Sequence, residues 1–354
     1  MRRPGNRIYG FPWNFPWVKA RRQAGVDPTP RRRPVWVACF ILTALGCGGA
    51  AAAQPQPFPS KSIRLVLNVG TGGVVDVTNR IYATHMSRSL GQQIVVDNRP
   101  SAGGVAALAA VVHANPDGYT LVQTGNAAAI SASLFKKLPY DVLKDFTQIS
   151  TLGIFQMGII VTPESGFNSL ADLLAFARKN PGNLNIGTIN VGSTQYLAAE
   201  LFKFIAKIET QTVPFKSNTL LLASMRGNEL RVAFELIGPV LGQIRGGTIR
   251  ALAVGSNKRF LGLPDVPTFA EAGLAGFEVS SWTGISAPAR TPAPIIDRLS
   301  REVAKAAALP DVRQTLQEMG IEARASTPEE TRKQMANDIA KWGKVIEQAK
   351  IERQ

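Results

Sequence analysis

The chain has 354 residues, 45% hydrophobic and 18% charged, with 40 Lys/Arg against 25 Asp/Glu. Nine Lys/Arg and one Asp fall in residues 1–53, so the remainder is near +7, a mildly basic surface with no Lys/Arg cluster or aromatic-basic interleaving; this argues against a nucleic-acid groove and suits attraction of small anions. Both cysteines, Cys39 and Cys47, lie in that same leader, and His85 and His113 are the only histidines, which excludes a disulfide in the mature chain and leaves no zinc site.

In chain order, Arg31 to Arg33 precede the apolar run Val35 to Leu45, and a small-residue stretch carries Ala51-x-Ala53 just before Gln54. This is the build of a secretory signal cleaved near Ala53. The run is shorter than the roughly 20 apolar residues of a bilayer-spanning helix, and no later stretch qualifies, so a soluble, periplasmic mature protein is expected. Lipidation at Cys47 is the lesser alternative, because Ala44-Leu45-Gly46-Cys47 lacks leucine three residues before the cysteine. The segment before Arg31 is long for a signal n-region and fits an over-extended start of translation.

From Ile63 onward short apolar strands alternate with amphipathic helices. Strands are predicted at Ile63–Asn68, Ile94–Asp97, Thr120–Thr124, Met157–Thr162, Leu184–Gly187, Thr212–Pro214, Val232–Glu235 and Ile249–Val254. Helices are predicted at Val74–Leu90, Gly104–Ala114, Leu170–Lys179, Thr194–Ile205 and Leu220–Arg226. This alternation implies an α/β protein with parallel sheets covered on both faces and ligands bound beyond the carboxyl ends of the strands. About 300 mature residues exceed what one core usually organises, which points to two domains. A Pro-rich stretch from Ala287 to Pro294 separates an extended segment from C-terminal helices, the last of which opens at Thr327-Pro328-Glu329-Glu330 as a capping box and carries Trp342.

The most informative stretch is Ile63 to Asp76, an apolar strand ending in a glycine-rich turn that opens into a helix. Gly70, Gly72 and Gly73 carry no Cβ, so main-chain N–H groups at the helix start can approach a carboxylate or phosphate. A second polar loop, Thr188 to Gln195, repeats the strand–glycine–helix arrangement around Gly192 and Ser193. Each site has a plainer reading: the first loop as a tight turn, Asp76 as a complement to the helix dipole, Ser193 as an N-cap, Glu235 as a solvated strand end, and both histidines as surface or packing residues within helices.

The chain resembles the tripartite tricarboxylate transporter substrate-binding proteins, often called Bug receptors. The resemblance runs from about Phe58 to the C-terminus. Its motifs are Pro59-Ser60-Lys61-Ser62-Ile63-Arg64-Leu65, Gly72-Gly73-Val74-Val75-Asp76, Asp97-Asn98-Arg99-Pro100-Ser101-Ala102-Gly103-Gly104, Pro116-Asp117-Gly118-Tyr119-Thr120-Leu121 and Leu138-Pro139-Tyr140-Asp141, then Leu263-Pro264-Asp265-Val266-Pro267-Thr268 and Ser281-Trp282-Thr283-Gly284. The family's pattern departs at Thr194 and Gln195, where proline and serine are common, in the Asn68-Val69-Gly70-Thr71 approach, and at Glu235, where aspartate is frequent.

The resemblance implies a two-lobed Venus-flytrap fold of the type II periplasmic-binding-protein kind, with a ligand cleft between lobes. Residues 1–53 would be leader, 54–157 with 283–354 the first lobe, and 158–282 the second, joined by extended crossings near Gly153–Thr162 and Glu278–Ala287. It implies a monomeric, non-enzymatic receptor for a small carboxylate that serves a membrane permease and needs no cofactor. Main-chain amides around Thr71, Gly72, Gly73 and Val74 and around Ser193, Thr194 and Gln195 would hold carboxylates, with Thr124, Asn190 and Glu235 shaping selectivity through side chains or water, and with Gly70, Gly192 and, directly or through water, Asp76 also at the ligand. Two readings compete: an exported carboxylate sensor, and a nicotinamide-dependent oxidoreductase. The second rests on Gly70-x-Gly72 after a strand and Asp97 at the end of the next, but Val75 occupies the third glycine position of that fingerprint.

Overall fold

A computed structural model describes residues 58–354; the leader, its cleavage near Ala53 and Cys47 lie outside the described residues. In chain order the elements are β1 (Ile63–Leu67), α1 (Val74–Leu90), β2 (Ile94–Asn98), α2 (Val105–Val111), β3 (Thr120–Gly125), α3 (Asn126–Leu134), β4 (Phe146–Val161), α4 (Leu170–Lys179), β5 (Asn185–Ile189), α5 (Thr194–Ala206), β6 (Gln211–Phe215), α6 (Asn218–Arg226), β7 (Val232–Leu236), α7 (Ile237–Arg245), β8 (Arg250–Val254), β9 (Ser280–Pro288), α8 (Ala293–Ala308), α9 (Pro310–Glu318), β10 (Ile321–Ala323) and α10 (Pro328–Gln348).

Local chemistry sets most boundaries. Helix α1 stops at Gly91, whose φ of 68° puts it in the left-handed region where a glycine ends a helix cheaply. Helices α4 and α10 open on capping boxes, Ser169 with Asp172 and Thr327 with Glu330, each satisfying two otherwise orphaned N–H groups. Helix α8 buries Ile296, Leu299 and Val303 on one stripe, the spacing that seats a helix on a sheet. Helix α2 stops at Val111, so His113 stands in a turn and not within a helix as expected.

The strand order is β2-β1-β3-β9-β4-β7-β5-β6, with β8 and β10 also paired to β4. Strand β4 changes partners along its length: it runs beside β9 as far as Gln156 and beside β7 and β8 from Met157. Two sheets thus share one long strand, and the orders β2-β1-β3 and β6-β5-β7 flank the central pair. The flanking strands are parallel, as expected. The expectation of wholly parallel sheets is corrected at the centre, where β3–β9, β9–β4, β4–β7 and β4–β8 are antiparallel.

Three apolar cores fill the layers. One lies between the first sheet and α1, α8 and α9, around Leu65, Tyr82, Leu299 and Leu316. A second sits under α6 and α7, around Ile160, Leu221 and Val240. The largest joins α2, α3, α4, α5 and α10 and contains Phe202, Phe234, Phe269 and Phe277, the last two with ring centroids 4.4 Å apart; each such aromatic pair contributes about 0.5–1.5 kcal/mol beyond its buried area. Helix α10 packs on α3, α5 and β4, with Trp342 fully buried.

Candidate functional site: a junction of helix N-termini

Two pairs of parallel strands, β1 with β3 and β5 with β7, run in opposite directions and each strand leads into a helix, so that the starts of α1, α3, α5 and α7 lie together. At β1–α1, Gly70, Thr71, Gly72 and Gly73 are exposed and Val74 is half-buried. A Cβ on any of the three glycines would meet nothing within 4 Å, and only Gly72, at φ 84°, has a backbone that requires glycine. Gly73 caps α1 without a side-chain bond, so the amides that follow it have no side-chain partner.

Asp76 holds this loop from beneath. Its carboxylate accepts from the Gly72 amide at 2.9 Å, from Arg80 Nε at 2.9 and 3.0 Å and from Asn98 Nδ2 at 2.8 Å. Asn98 Nδ2 also donates to the Val69 carbonyl at 3.0 Å, and Arg80 donates to Asn98 Oδ1 at 2.7 Å. Burial alone would raise the Asp76 pKa, but Arg80, the Gly72 amide and Asn98 together hold it below the usual carboxylate value. The carboxylate is therefore engaged with the loop, and the Gly72 amide is occupied by it.

At β5–α5 the turn repeats with different chemistry. Ser193 caps α5 by accepting from the Tyr196 amide at 3.1 Å and donates to the Ile189 carbonyl at 2.7 Å. Gly192 has φ 82°, and a Cβ there would stand 2.4 Å from Leu134 Cδ2. Asn190 is exposed, with its amide N–H bonded to the Phe215 carbonyl. Thr194 and Gln195, the first two residues of α5, are buried.

The other two helix starts were not among the predicted elements. Gly125 and Leu236 precede α3 and α7 with no side-chain cap, so no Ser, Thr or Asp marks either helix in the sequence. Asn126 opens α3, is fully buried, and donates through Nδ2 to Thr194 Oγ1 at 2.8 Å while accepting from Trp342 Nε1 at 2.9 Å. Gln195 Nε2 donates to Glu235 Oε1 at 3.0 Å, and the same oxygen accepts from the Leu236 amide at 2.7 Å. Gly238, in the first turn of α7, has a Cβ position 2.4 Å from the Met319 carbonyl and 3.9 Å from Val74 Cγ1. Hydrogen bonds thus run from α3 to α5 and from α5 to the end of β7 that leads into α7, and Gly238 of α7 stands near Val74 of α1.

Glu235 is fully buried, not a solvated strand end. Burial pushes its carboxyl up to about 7, against the lowering effect of the hydrogen bonds from Gln195 and the Leu236 amide. Thr124 is brought to a different place: its hydroxyl bonds Ser286 Oγ at 2.7 Å and Gln148 Oε1 at 3.3 Å inside the sheet. A cavity of about 700 Å³ lies away from the junction, bordered by Gln156, Ser256, Arg259, Arg324 and Lys341.

Asn126 is the residue that sequence reasoning missed. The available signal was Gly125-Asn126 directly after a strand, the same placement as the glycines of the two recognised loops.

Two sheets sharing a central strand, with parallel strands on each side leading into helices whose starts meet, make the two-lobed fold of the periplasmic solute-binding proteins. Residues 78–351 match the family model described as "Tripartite tricarboxylate transporter family receptor", and the chain belongs to that family. It is 32% identical over 312 residues to protein BugT of Bordetella pertussis, covering 88% of this chain and 95% of the relative. Among solved structures it is similar to BugD, a periplasmic binding protein, at 27% identity and a TM-score of 0.71 over 84% of this chain and all of the other. Rpa4515 of R. palustris, solved with adipate, gives 31% identity and a TM-score of 0.73 over 83% and 99% of the two chains. MatC of Rhodopseudomonas palustris, with bound malate, gives 29% and 0.70 over 82% and 100%. These are receptors and not enzymes, so the nicotinamide reading of the glycine loop falls.

Proposed function

We propose that this protein is an extracytoplasmic receptor that captures a small carboxylate, such as a di- or tricarboxylate, an acidic amino acid or an aromatic acid, and delivers it to the membrane permease subunits of a tripartite tricarboxylate-type transporter. One observation carries this reading: the starts of α3 and α5 and the end of β7 before α7 are joined by hydrogen bonds, Gly238 of α7 stands near Val74 of α1, and no lysine or arginine stands in Gly70–Val74, Gly125–Asn126, Asn190–Gln195 or Leu236–Gly238. A helix start presents unsatisfied N–H donors and about half a positive charge, worth about 0.3–2 kcal/mol for an anion depending on burial. Several such starts bind carboxylates without an arginine. The adipate and malate held by Rpa4515 and MatC are of the same chemical class.

In this reading the main-chain amides of Gly73 and Val74 and of Ser193 to Gln195 face the ligand, residues 54–157 with 283–354 form one lobe and 158–282 the other, and the bonds between α3 and α5 belong to the closed form. The mature receptor acts as a periplasmic monomer beginning near Gln54; intact-mass analysis of exported protein would reveal a retained leader or a lipid on Cys47 instead. A thermal-shift screen of the mature protein against mono-, di- and tricarboxylates, acidic amino acids and aromatic acids tests the function. A ligand at 100 times its dissociation constant adds about 2.7 kcal/mol to stability, and a screen with no carboxylate hit would remove the proposal.

A further inference from the structure

Glu235 is the acid on the α5–α7 side of the junction, and among the described residues no Lys or Arg pairs with it. Its Oε1 is used twice, by Gln195 and the Leu236 amide. Its Oε2 is buried and has no partner. The starts of α5 and α7 therefore meet at one carboxyl group whose second oxygen has no hydrogen-bond partner.

The elements around β7 supply no counter-charge. Met157–Val161 of β4 and all of β5 contain no ionisable residue. On α5, Glu200 and Lys203 pair with each other at 3.0 Å, and Tyr196 is neutral. The cations of α6 and α7, Arg226 and Arg245, stand in the last turns, far from the helix starts, with Arg245 donating to the Gly262 carbonyl. Lys216, before α6, is exposed, and Arg231 and Arg250 lie at the opposite ends of β7 and β8 or their flanks, Arg250 bonded to Asn168. On α1, whose start adjoins α7 through Val74, Asp76 and Arg80 pair with each other.

We propose that Glu235 is a specificity-determining residue that engages the ligand in its protonated form, its Oε2–H donating to a ligand carboxylate oxygen, so that capture of the anion is coupled to uptake of one proton from solvent. This rests on the receptor reading above. An ionised Glu235 beside a ligand carboxylate would place two like charges in one enclosed junction, which drives one of them to hold a proton. A protonated carboxyl against a carboxylate instead makes a short, charge-assisted hydrogen bond. Burial, which already raises the Glu235 pKa toward neutrality, leaves little further work for the ligand. The chemistry selected is an anion whose carboxylate reaches Oε2; a ligand presenting an ammonium group there would instead favour the ionised form.

The test uses the mature protein and its Glu235→Gln variant, with malate, adipate, citrate, glutamate and benzoate as probes, by thermal shift and calorimetry from pH 5.5 to 8.5. For a probe that binds, affinity should be flat at low pH and fall about tenfold per unit above the pKa of free Glu235. At pH 8, calorimetry in buffers of different ionisation enthalpy should show uptake of about one proton per ligand. Glu235→Gln, which keeps a donor at the same place, should bind with affinity independent of pH and no proton uptake. Binding by wild type that is independent of pH, strengthens with pH, or keeps its proton uptake in Glu235→Gln overturns the proton coupling and leaves the receptor reading standing. If no probe binds either protein at any pH, the receptor reading itself fails and takes this inference with it.

Discussion

Asn126 and Thr194 are joined by a hydrogen bond of 2.8 Å between the first residue of α3 and the first residue of α5, and the same asparagine accepts from Trp342 Nε1 on α10. One buried amide thus ties together helices that follow strands of two different sheets. Replacing Asn126 by Ala leaves two buried polar groups without partners, at a cost of about 1–3 kcal/mol each if neither finds water. Asn126→Ala should lower the urea midpoint and red-shift the emission of Trp342, which shares the mature chain's fluorescence only with Trp282. An unchanged midpoint and spectrum would mean that this bond does not hold the closed arrangement.

Gly73 gives a clean test of the amide site. Its φ is −77° and an added Cβ meets nothing, so Gly73→Val should melt within about 1 kcal/mol of wild type. The valine would stand where a ligand carboxylate approaches the α1 amides, and affinity should fall about tenfold or more, equivalent to 1.4 kcal/mol. Gly72→Val should instead lose stability by roughly 1–2 kcal/mol, because φ 84° is strained for any side chain. Full affinity in folded Gly73→Val would refute the loop as the anion site.

Stability should depend on pH through Glu235 in a definite direction. Its folded pKa is raised to about 7 from an ordinary value of 4.5. Its contribution is therefore fully present below pH 4.5 and is lost as pH rises through 7, by about 3 kcal/mol in all at 1.36 kcal/mol per unit. Glu235→Gln should flatten this part of the unfolding free-energy curve between pH 4.5 and 8 without ligand. A variant that keeps the wild-type slope would place the titration elsewhere.

Asp76 should act with the opposite sign. Its folded pKa lies below 3.8, so its stabilisation is present above that value and is lost as pH falls through the folded pKa. Asp76→Asn, which loses the charge that Arg80 and the Gly72 amide bond, should cost about 1.5–3 kcal/mol at pH 7 and shrink the acid-side loss of stability. Ligand affinity should fall as well, since the loop is held by that carboxylate. Wild-type stability at both pH 7 and pH 3 would show that Arg80 and Asn98 hold the loop without it.

A tight fit at the second loop gives a further check. Gly192→Ala combines a positive φ with a Cβ 2.4 Å from Leu134 Cδ2, so it should destabilise by at least about 1–3 kcal/mol. Adding Leu134→Ala to it should recover only the steric part. Thermal melts of the single and double variants would separate the two terms, and a neutral Gly192→Ala would show that the loop can move away from α3.

The sequence by itself determined the elements whose signals are local. Helices α1 and α4 begin and end where their periodicity and caps place them, and α10 opens at its capping box. Glycines after strands exposed the β1–α1 and β5–α5 loops for the same reason: the φ values of Gly72 and Gly192 are backbone properties that few residues satisfy. Tertiary structure alone decided the rest. The first half of β4 hides its strand character because Gln148, Ser150 and Thr151 are buried against polar partners such as Ser286, Thr124 and Ser326, which erases the alternation a strand shows when one face meets water. Helices α3 and α7 start without caps, so the residues at or just before their starts became visible only when Asn126 met Thr194 and Glu235, near the end of β7, met Gln195. Neither pair has a spacing that a sequence can display, since 68 and 40 residues separate the partners and only the strand order brings them to one place.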